Sequence, residues 1–251
     1  MRYLKFGLGA LVLYLVFLAV TVPVSLVWQF SPKPKGVQVS GLEGTLWAGR
    51  ADTMTVAGRR LENLTWDLDP WWALIGGQVE AVVSVSGDVQ GRGTVRYGFS
   101  GLEVDGLRLE SPISVLVGNR RLPFRTKVAG EVKLNLLQGS QGEPWCDSLN
   151  GRITVQQLDV NNQFGAFPLG NLAGTLSCSQ GNLQLTMTEQ DNRIGVAGTA
   201  LLKDNMQVEV NAGIRATADQ PDAMAKSLAF LGQPDGNGVY PLRYSGRVPG
   251  F

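Results

Sequence analysis

From Phe6 to Ser31 the chain carries no charged residue, with Arg2 and Lys5 before the run and Lys33 and Lys35 after it. An α-helix rises about 1.5 Å per residue and a bilayer core is about 30 Å thick, so roughly 20 apolar residues span it. The run is long enough to cross with some tilt, and the rest of the chain then reads as the cargo of a membrane anchor. Pro23, Ser25 and Gln29 make its far end less apolar than its start. A cleaved export signal is the rival reading. Two details oppose it: the run exceeds the usual signal core of about 7–15 residues, and Val20-Thr21-Val22 and Val22-Pro23-Val24 are poor small-residue cleavage sites. Two basic residues flank each side, and the N-terminal amine tips the positive-inside count toward a cytoplasmic N-terminus.

Beyond the anchor lie two cysteines, Cys146 and Cys178. An even pair past a spanning segment suits a disulfide in an oxidising compartment. Paired, they close a loop of about 33 residues, worth about 3.7 kcal/mol in the chain-entropy account. Two buried thiols are the alternative. The chain has no histidine, which removes Ser-His-Asp and Cys-His catalysis and every metal site that needs an imidazole. A net charge of +1 supplies no basic field for nucleic acid. About 215 residues remain outside the anchor, enough for one large or two small domains.

The exported part alternates with period two. Val79, Ala81, Val83 and Val85 share one face, as do Val95, Tyr97 and Phe99, which predicts half-buried strands. Asp105-Gly106, between Leu102/Val104 and Leu107/Leu109, predicts a two-residue hairpin turn. Gly91-Arg92-Gly93 reads as a turn, not a phosphate loop, and Arg59-Arg60 and Arg120-Arg121 as turn ends. Helix is scarce: one or two turns over Pro70–Ile75 and a stretch from Asp222 to Leu231 that stops at Gly232. The segment 138–144 has turn composition without periodicity and is the expected boundary between two β subdomains.

A second pattern, apolar-x-Gly-x-apolar, recurs around Gly44, Gly130, Gly151 and Gly174, with a weaker copy at Gly198. Each Gly shares a strand face with its apolar flanks, so it leaves room for a large neighbour or permits a bend. The irregular spacing describes repeated hairpins, not a solenoid.

Chemistry is sparse. Asp67 and Asp69 alternate with Trp66 and Leu68 and so face solvent. Asn63-Leu64-Thr65 matches a glycosylation sequon within a strand-like run. Trp47, Trp66, Trp71 and Trp72 cluster after the anchor; Trp66 reads as core, and Trp71 and Trp72 fit either a core or a membrane interface. No catalytic, metal-binding or cofactor-binding residues are expected.

The stretch Val39-Ser40-Gly41-Leu42-Glu43-Gly44-Thr45-Leu46-Trp47-Ala48-Gly49, followed by Trp66-x-Leu68 and Pro70-Trp71-Trp72-Ala73-Leu74-Ile75-Gly76-Gly77, resembles the type II secretion system protein N family of Gram-negative bacteria. Gly174-Thr175-Leu176-Ser177-Cys178 and Gly238-Val239-Tyr240-Pro241-Leu242 agree with it. The motif residues that carry the resemblance are Gly41, Gly44, Trp47, Gly49 and Gly174. It implies a non-enzymatic accessory component of the inner-membrane part of that machine, with other secretion subunits as partners and its β domain in the periplasm. The rhythm of strand, short helix and Gly also resembles AsmA-like envelope proteins, whose curled sheets accommodate lipid. The resulting expectation is a mainly β protein: a single transmembrane helix, then a curved antiparallel sheet of repeated hairpins with few short helices. Its parts are residues 1–35, 36–137 and 138–251, with the membrane as a further partner and no nucleic acid.

Overall fold

The computed structural model describes residues 2–33, 36–56, 58–69, 77–118 and 123–247. The uncharged run is not one rod. Helix α1 covers Arg2–Thr21 and α2 covers Val24–Phe30. Pro23 between them is extended, with φ −67° and ψ 133°. Proline lacks the N–H that the helix ladder needs and pushes the preceding residue out of the helical region. The uncharged part of α1, from Phe6 to Thr21, is therefore about 24 Å long, short of a hydrocarbon core about 30 Å thick. Among the described residues no helix is long and apolar enough to cross a membrane. The apolar side chains of α1 are nevertheless uncovered, Leu13 at 72% and Phe17 at 63% exposure.

Among the described residues thirteen antiparallel strands follow in one sheet whose spatial order is the chain order. They are β1 (Val37–Gly44), β2 (Ala48–Val56), β3 (Arg59–Asp69), β4 (Val79–Val85), β5 (Gln90–Gly98), β6 (Gly101–Pro112), β7 (Lys127–Gln141), β8 (Cys146–Asn162), β9 (Gly165–Ser179), β10 (Asn182–Met187), β11 (Val196–Leu202), β12 (Gln207–Arg215) and β13 (Val239–Arg247). Helix α3 (Ile113–Val117) sits between β6 and β7. Helix α4 (Asp222–Ser227) continues into a 3-10 turn, Leu228–Leu231, between β12 and β13. Gly232, at φ 102°, ends that segment. The helix expected over Pro70–Ile75, with Trp71 and Trp72, lies outside the described residues, as does Arg120-Arg121.

The boundary segment 138–144 falls across the end of β7, and β7 pairs with β8 along most of its length, from Lys127↔Asn161 to Gln141↔Cys146. Residues 36–137 and 138–251 are thus joined by one of the longest ladders of a single sheet.

Two expected turns are strand instead. Asp105-Gly106 lies inside β6, which runs on from Gly101 to Pro112. Gly106 has φ 58°, and the β5–β6 register shifts between Arg92 and Thr94; the pair forms a β-bulge, which needs the same left-handed backbone as a tight hairpin turn. Gly91-Arg92-Gly93 is strand β5, with both glycines under leucines of β6: a Cβ at Gly93 would lie 2.9 Å from Leu107 Cδ1.

Left-handed residues keep the sheet two-faced. The apolar parity changes across Gly41 (φ 67°) in β1 and Asn63 (φ 48°) in β3, where the register does not shift, and across the bulges at Gly106 in β6 and Gln157 (φ 50°) in β8. Leu61 and Leu64, or Val155 and Leu158, therefore share a face although three residues apart. One row of this face crosses all thirteen strands: Gly44, Gly49, Trp66, Val83, Gly93, Leu107, Leu136, Gly151, Leu176, Leu185, Ala200, Val210 and Tyr244. At about 4.8 Å per strand it is about 58 Å long. The opposite face carries cross-strand ion pairs, Glu43–Arg50 at 2.6 Å, Glu110–Lys133 at 3.1 Å and Arg96–Asp105.

Among the described residues no second sheet covers the apolar face. The buried apolar ones among the described residues are few and mostly small, including Ala51, Ala173, Ile194, Ile214 and Leu228, and no large side chain is fully buried. The accessible surface is 16777 Å², whereas a compact monomer of 27.0 kDa exposes about 10,800 Å². The chain spends its apolar residues on an open surface.

Candidate functional site

Two features stand out: the joint between α1 and the sheet, and the open apolar face. The joint is made by the Gly-Leu-x-Gly-Thr-Leu-Trp motif. Gly41 sits at the parity change in β1, where a Cβ would run into the side chain of Asp52. Gly44, at φ 89°, leads into the β1–β2 turn, and a Cβ there would lie 2.5 Å from the Ala48 carbonyl oxygen and 2.9 Å from the Gly49 α-carbon. Only glycine accepts that backbone and that approach. Thr45 closes the turn, its N–H donating to Ala48 O at 2.9 Å and its hydroxyl oxygen accepting from Ala48 N at 3.1 Å.

The turn then receives the helix. Trp47 Nε1 donates to Ala19 O at 2.8 Å, one of the carbonyls that the end of α1 leaves without an intrahelical partner. Leu46 N donates to Val22 O at 3.0 Å, and Pro23 bridges to Thr45. Trp66, on β3, donates Nε1 to Leu46 O at 3.1 Å and lies over Gly49, where a Cβ would be 2.5 Å from its Cζ2. Sequence reading grouped Trp47 and Trp66 by proximity along the chain; the structure joins them through one turn. It gave no role to Ala19, Val22 or Pro23, because a backbone carbonyl at a helix end has no side-chain signature.

Along the apolar face the repeated glycines lie under large neighbours. A Cβ at Gly174 would be 2.6 Å from Leu185 Cδ1, and Gly151 is overlaid by Leu136. Gly130 is different: at φ 139°, a Cβ there would meet backbone, 2.9 Å from Gln156 O, beside the β8 bulge.

Cys146 and Cys178 form a disulfide with Cα atoms 6.0 Å apart. It fastens the start of β8 to the end of β9. The same corner is held by Trp145, whose N–H donates to Gly181 O at 3.0 Å and whose indole donates to Lys203 O at 2.8 Å. The turns β7–β8, β9–β10 and β11–β12, neighbours along one end of the sheet, are tied together there. Sequence reading found the cysteines but not Trp145.

Asp67 and Asp69 are exposed strand residues. Among the described residues no three His, Cys, Asp or Glu side chains gather into a metal site. A shallow polar depression of about 680 Å³ is lined by Gln157, Asn171, Gln190, Asp191, Asn192 and Arg193. Its groups are largely engaged with each other and with backbone: Arg193 donates to Pro168 O at 2.8 Å, and Asn171 accepts from Gln157 N at 3.0 Å. The Thr188 hydroxyl and N–H, and then Arg152 at 2.7 Å, hold the Asp191 carboxyl below the ordinary carboxylate range. The N–H groups of Val239 and Asn237 do the same for Asp235 in the turn before β13.

The described residues thus form an apolar helix latched to one end of a single antiparallel sheet. The chain belongs to the type II secretion system protein N family, which it matches over residues 35–243. It is 34% identical over 242 residues to the type II secretion system protein N of Aeromonas hydrophila, covering 95% of this chain and 96% of the relative. With the Vibrio cholerae protein of the same description it shares 27% over 251 residues, 98% of this chain and 99% of that one. No solved structure matches the chain.

Proposed function

We propose that this chain is an accessory component of the type II secretion system, held at the inner membrane by α1 with its sheet in the periplasm, and that it works by binding, not catalysis. The observation that carries this is the continuous apolar row across thirteen strands, which no second sheet of the described chain covers and whose larger side chains are half-buried among their neighbours, with Tyr244 exposed at its end. An uncovered apolar surface of this extent is an interaction surface. The anchor is supported by the uncharged run with flanking basic residues and by the bare apolar side chains of α1; a span somewhat shorter than the bilayer is accommodated by local thinning. The Cys146–Cys178 bond supports an oxidising compartment. A non-catalytic role rests on the absent histidine and the outward-facing acids.

A second reading, that the apolar face holds lipid acyl chains, is favoured by the same openness. Replacing Leu134 and Leu185 together by Glu puts charge on that face, whereas Asn135→Glu and Thr154→Glu put it on the polar face. Secretion of a reporter exoprotein should fall with the first pair and persist with the second, both double variants retaining the disulfide. Equal secretion from all would remove the apolar face from the account. Lipid that copurifies with wild type but not with the Leu134→Glu/Leu185→Glu protein would move the conclusion to the second reading.

A further inference from the structure

The two edges of the sheet differ. Beside β1, Pro23 bridges to Thr45 and α2 packs along the strand. β13 pairs only with β12; the turn before it, through Asp235, binds the N–H and C=O of Val239, and no strand of the described chain pairs with its other side. A bare edge presents unpaired N–H and C=O groups to any extended chain.

Its side chains say what kind of chain fits. Tyr240, Leu242 and Tyr244 stand opposite Ile214, Ala212 and Val210, so the apolar face runs undiminished to the last strand, where Tyr244 is 57% exposed. On the other face Arg243 and Arg247 make no ion pair among the described residues; Glu209, opposite Ser245, is engaged by Lys203 at 2.6 Å. Pro241 sets the register. A proline is tolerated in a sheet where its nitrogen faces the free side, and two-residue steps from it place the backbone groups of Arg243, Ser245 and Arg247 on that side as well.

We propose that β13 is a strand-addition site for an extended segment of a partner protein whose residues alternate acidic and apolar: the acids opposite Arg243 and Arg247, the apolar residues continuing the face beyond Tyr244. A second copy of this chain fits badly. Antiparallel pairing centred on Ser245 sets Arg243 of one copy opposite Arg247 of the other, a like-charge pair. Pairing centred on Tyr244 brings Pro241, which has no N–H, into the ladder. The proposal does not depend on the anchor or on lipid, and its failure leaves the apolar-face reading standing.

The probe is a fluorescein-labelled synthetic peptide, Glu-Val-Glu-Val-Glu-Val-Thr, titrated by anisotropy against the full chain in nanodiscs. The peptide should bind and slow amide exchange within 239–247. Arg243→Glu with Arg247→Glu should weaken it about tenfold, and a Lys-Val-Lys-Val-Lys-Val-Thr peptide should then prefer the variant. Ser245→Pro removes a donor on the free side only and should abolish binding while the disulfide and thermal unfolding stay unchanged. Undiminished binding to the double Glu variant, exchange protection elsewhere than 239–247, or a wild-type dimer broken by Ser245→Pro would overturn the proposal.

Discussion

The indole N–H of Trp47 donates to the carbonyl oxygen of Ala19 at 2.8 Å, so the first turn of the sheet closes the C-terminal end of the helix that precedes it. Trp47→Phe keeps the ring and deletes the donor. The expected loss is about 0.5–1.5 kcal/mol, the net worth of one hydrogen bond. Faster amide exchange at Leu46, whose N–H is bonded to Val22 O at 3.0 Å, would show that the joint loosened; unchanged exchange there would detach Trp47 from it.

The glycines of the repeated pattern should not respond alike. At Gly174 an added Cβ meets the far end of Leu185, a side chain that can swing, whereas at Gly44 it meets backbone at φ 89°. Gly174→Ala should cost about 1 kcal/mol and Gly44→Ala clearly more, within the usual about 1–3 kcal/mol of overpacking and strain. Gly236→Ala, with open space around it, is the control. Chemical denaturation of the three variants gives the order; a reversed order would contradict the assignment.

Removing the disulfide by Cys146→Ser with Cys178→Ser should lower stability by about 2–4 kcal/mol without dismantling the sheet. Trp145, bonded to Gly181 and Lys203, still ties that corner. Strand content by circular dichroism and the denaturation midpoint separate the two expectations. Quantitative alkylation of both thiols in unreduced protein would show that the bond does not form.

Asp191 supplies a pH dependence with a definite sign. Its folded pKa lies below the ordinary 3.8, owing first to the Thr188 hydrogen bonds and then to Arg152. The unfolded chain therefore binds the proton more readily. The stabilisation is complete above the unfolded value and is lost as the pH falls through the folded one. Asp191→Asn should be less stable than wild type at neutral pH, and the difference should shrink below about pH 4. A difference constant with pH would assign the effect to shape, not charge.

Much of the fold is legible in the sequence for a simple reason. Period-two alternation from Val79 to Val85 survives unchanged into β4, and the stop at Gly232 marks the end of the short helical segment after β12. What escapes sequence reading is wherever one local chemistry serves two purposes. Asp105-Gly106 offers the left-handed backbone of a hairpin turn and of a bulge, and only the neighbouring ladder decides between them. Gly91 and Gly93 look like turn residues because nothing in the chain announces that Leu109 and Leu107 will lie over them. The joint between Ala19 and Trp47 spans 28 positions and is made to a backbone oxygen. The openness of the apolar face is equally silent, since alternation fixes which residues share a face but not what covers them.

In-cell photo-crosslinking reports what covers that face. Benzoylphenylalanine at Leu134 or Leu185 places the probe on the apolar row side of the sheet, and at Asn135 or Thr154 on the polar side. Adducts are expected from Leu134 and Leu185, with a secretion subunit or a lipid as the captured species, and none from Asn135 or Thr154. No adduct from the apolar face in secreting cells, or the same adducts from both faces, would contradict it.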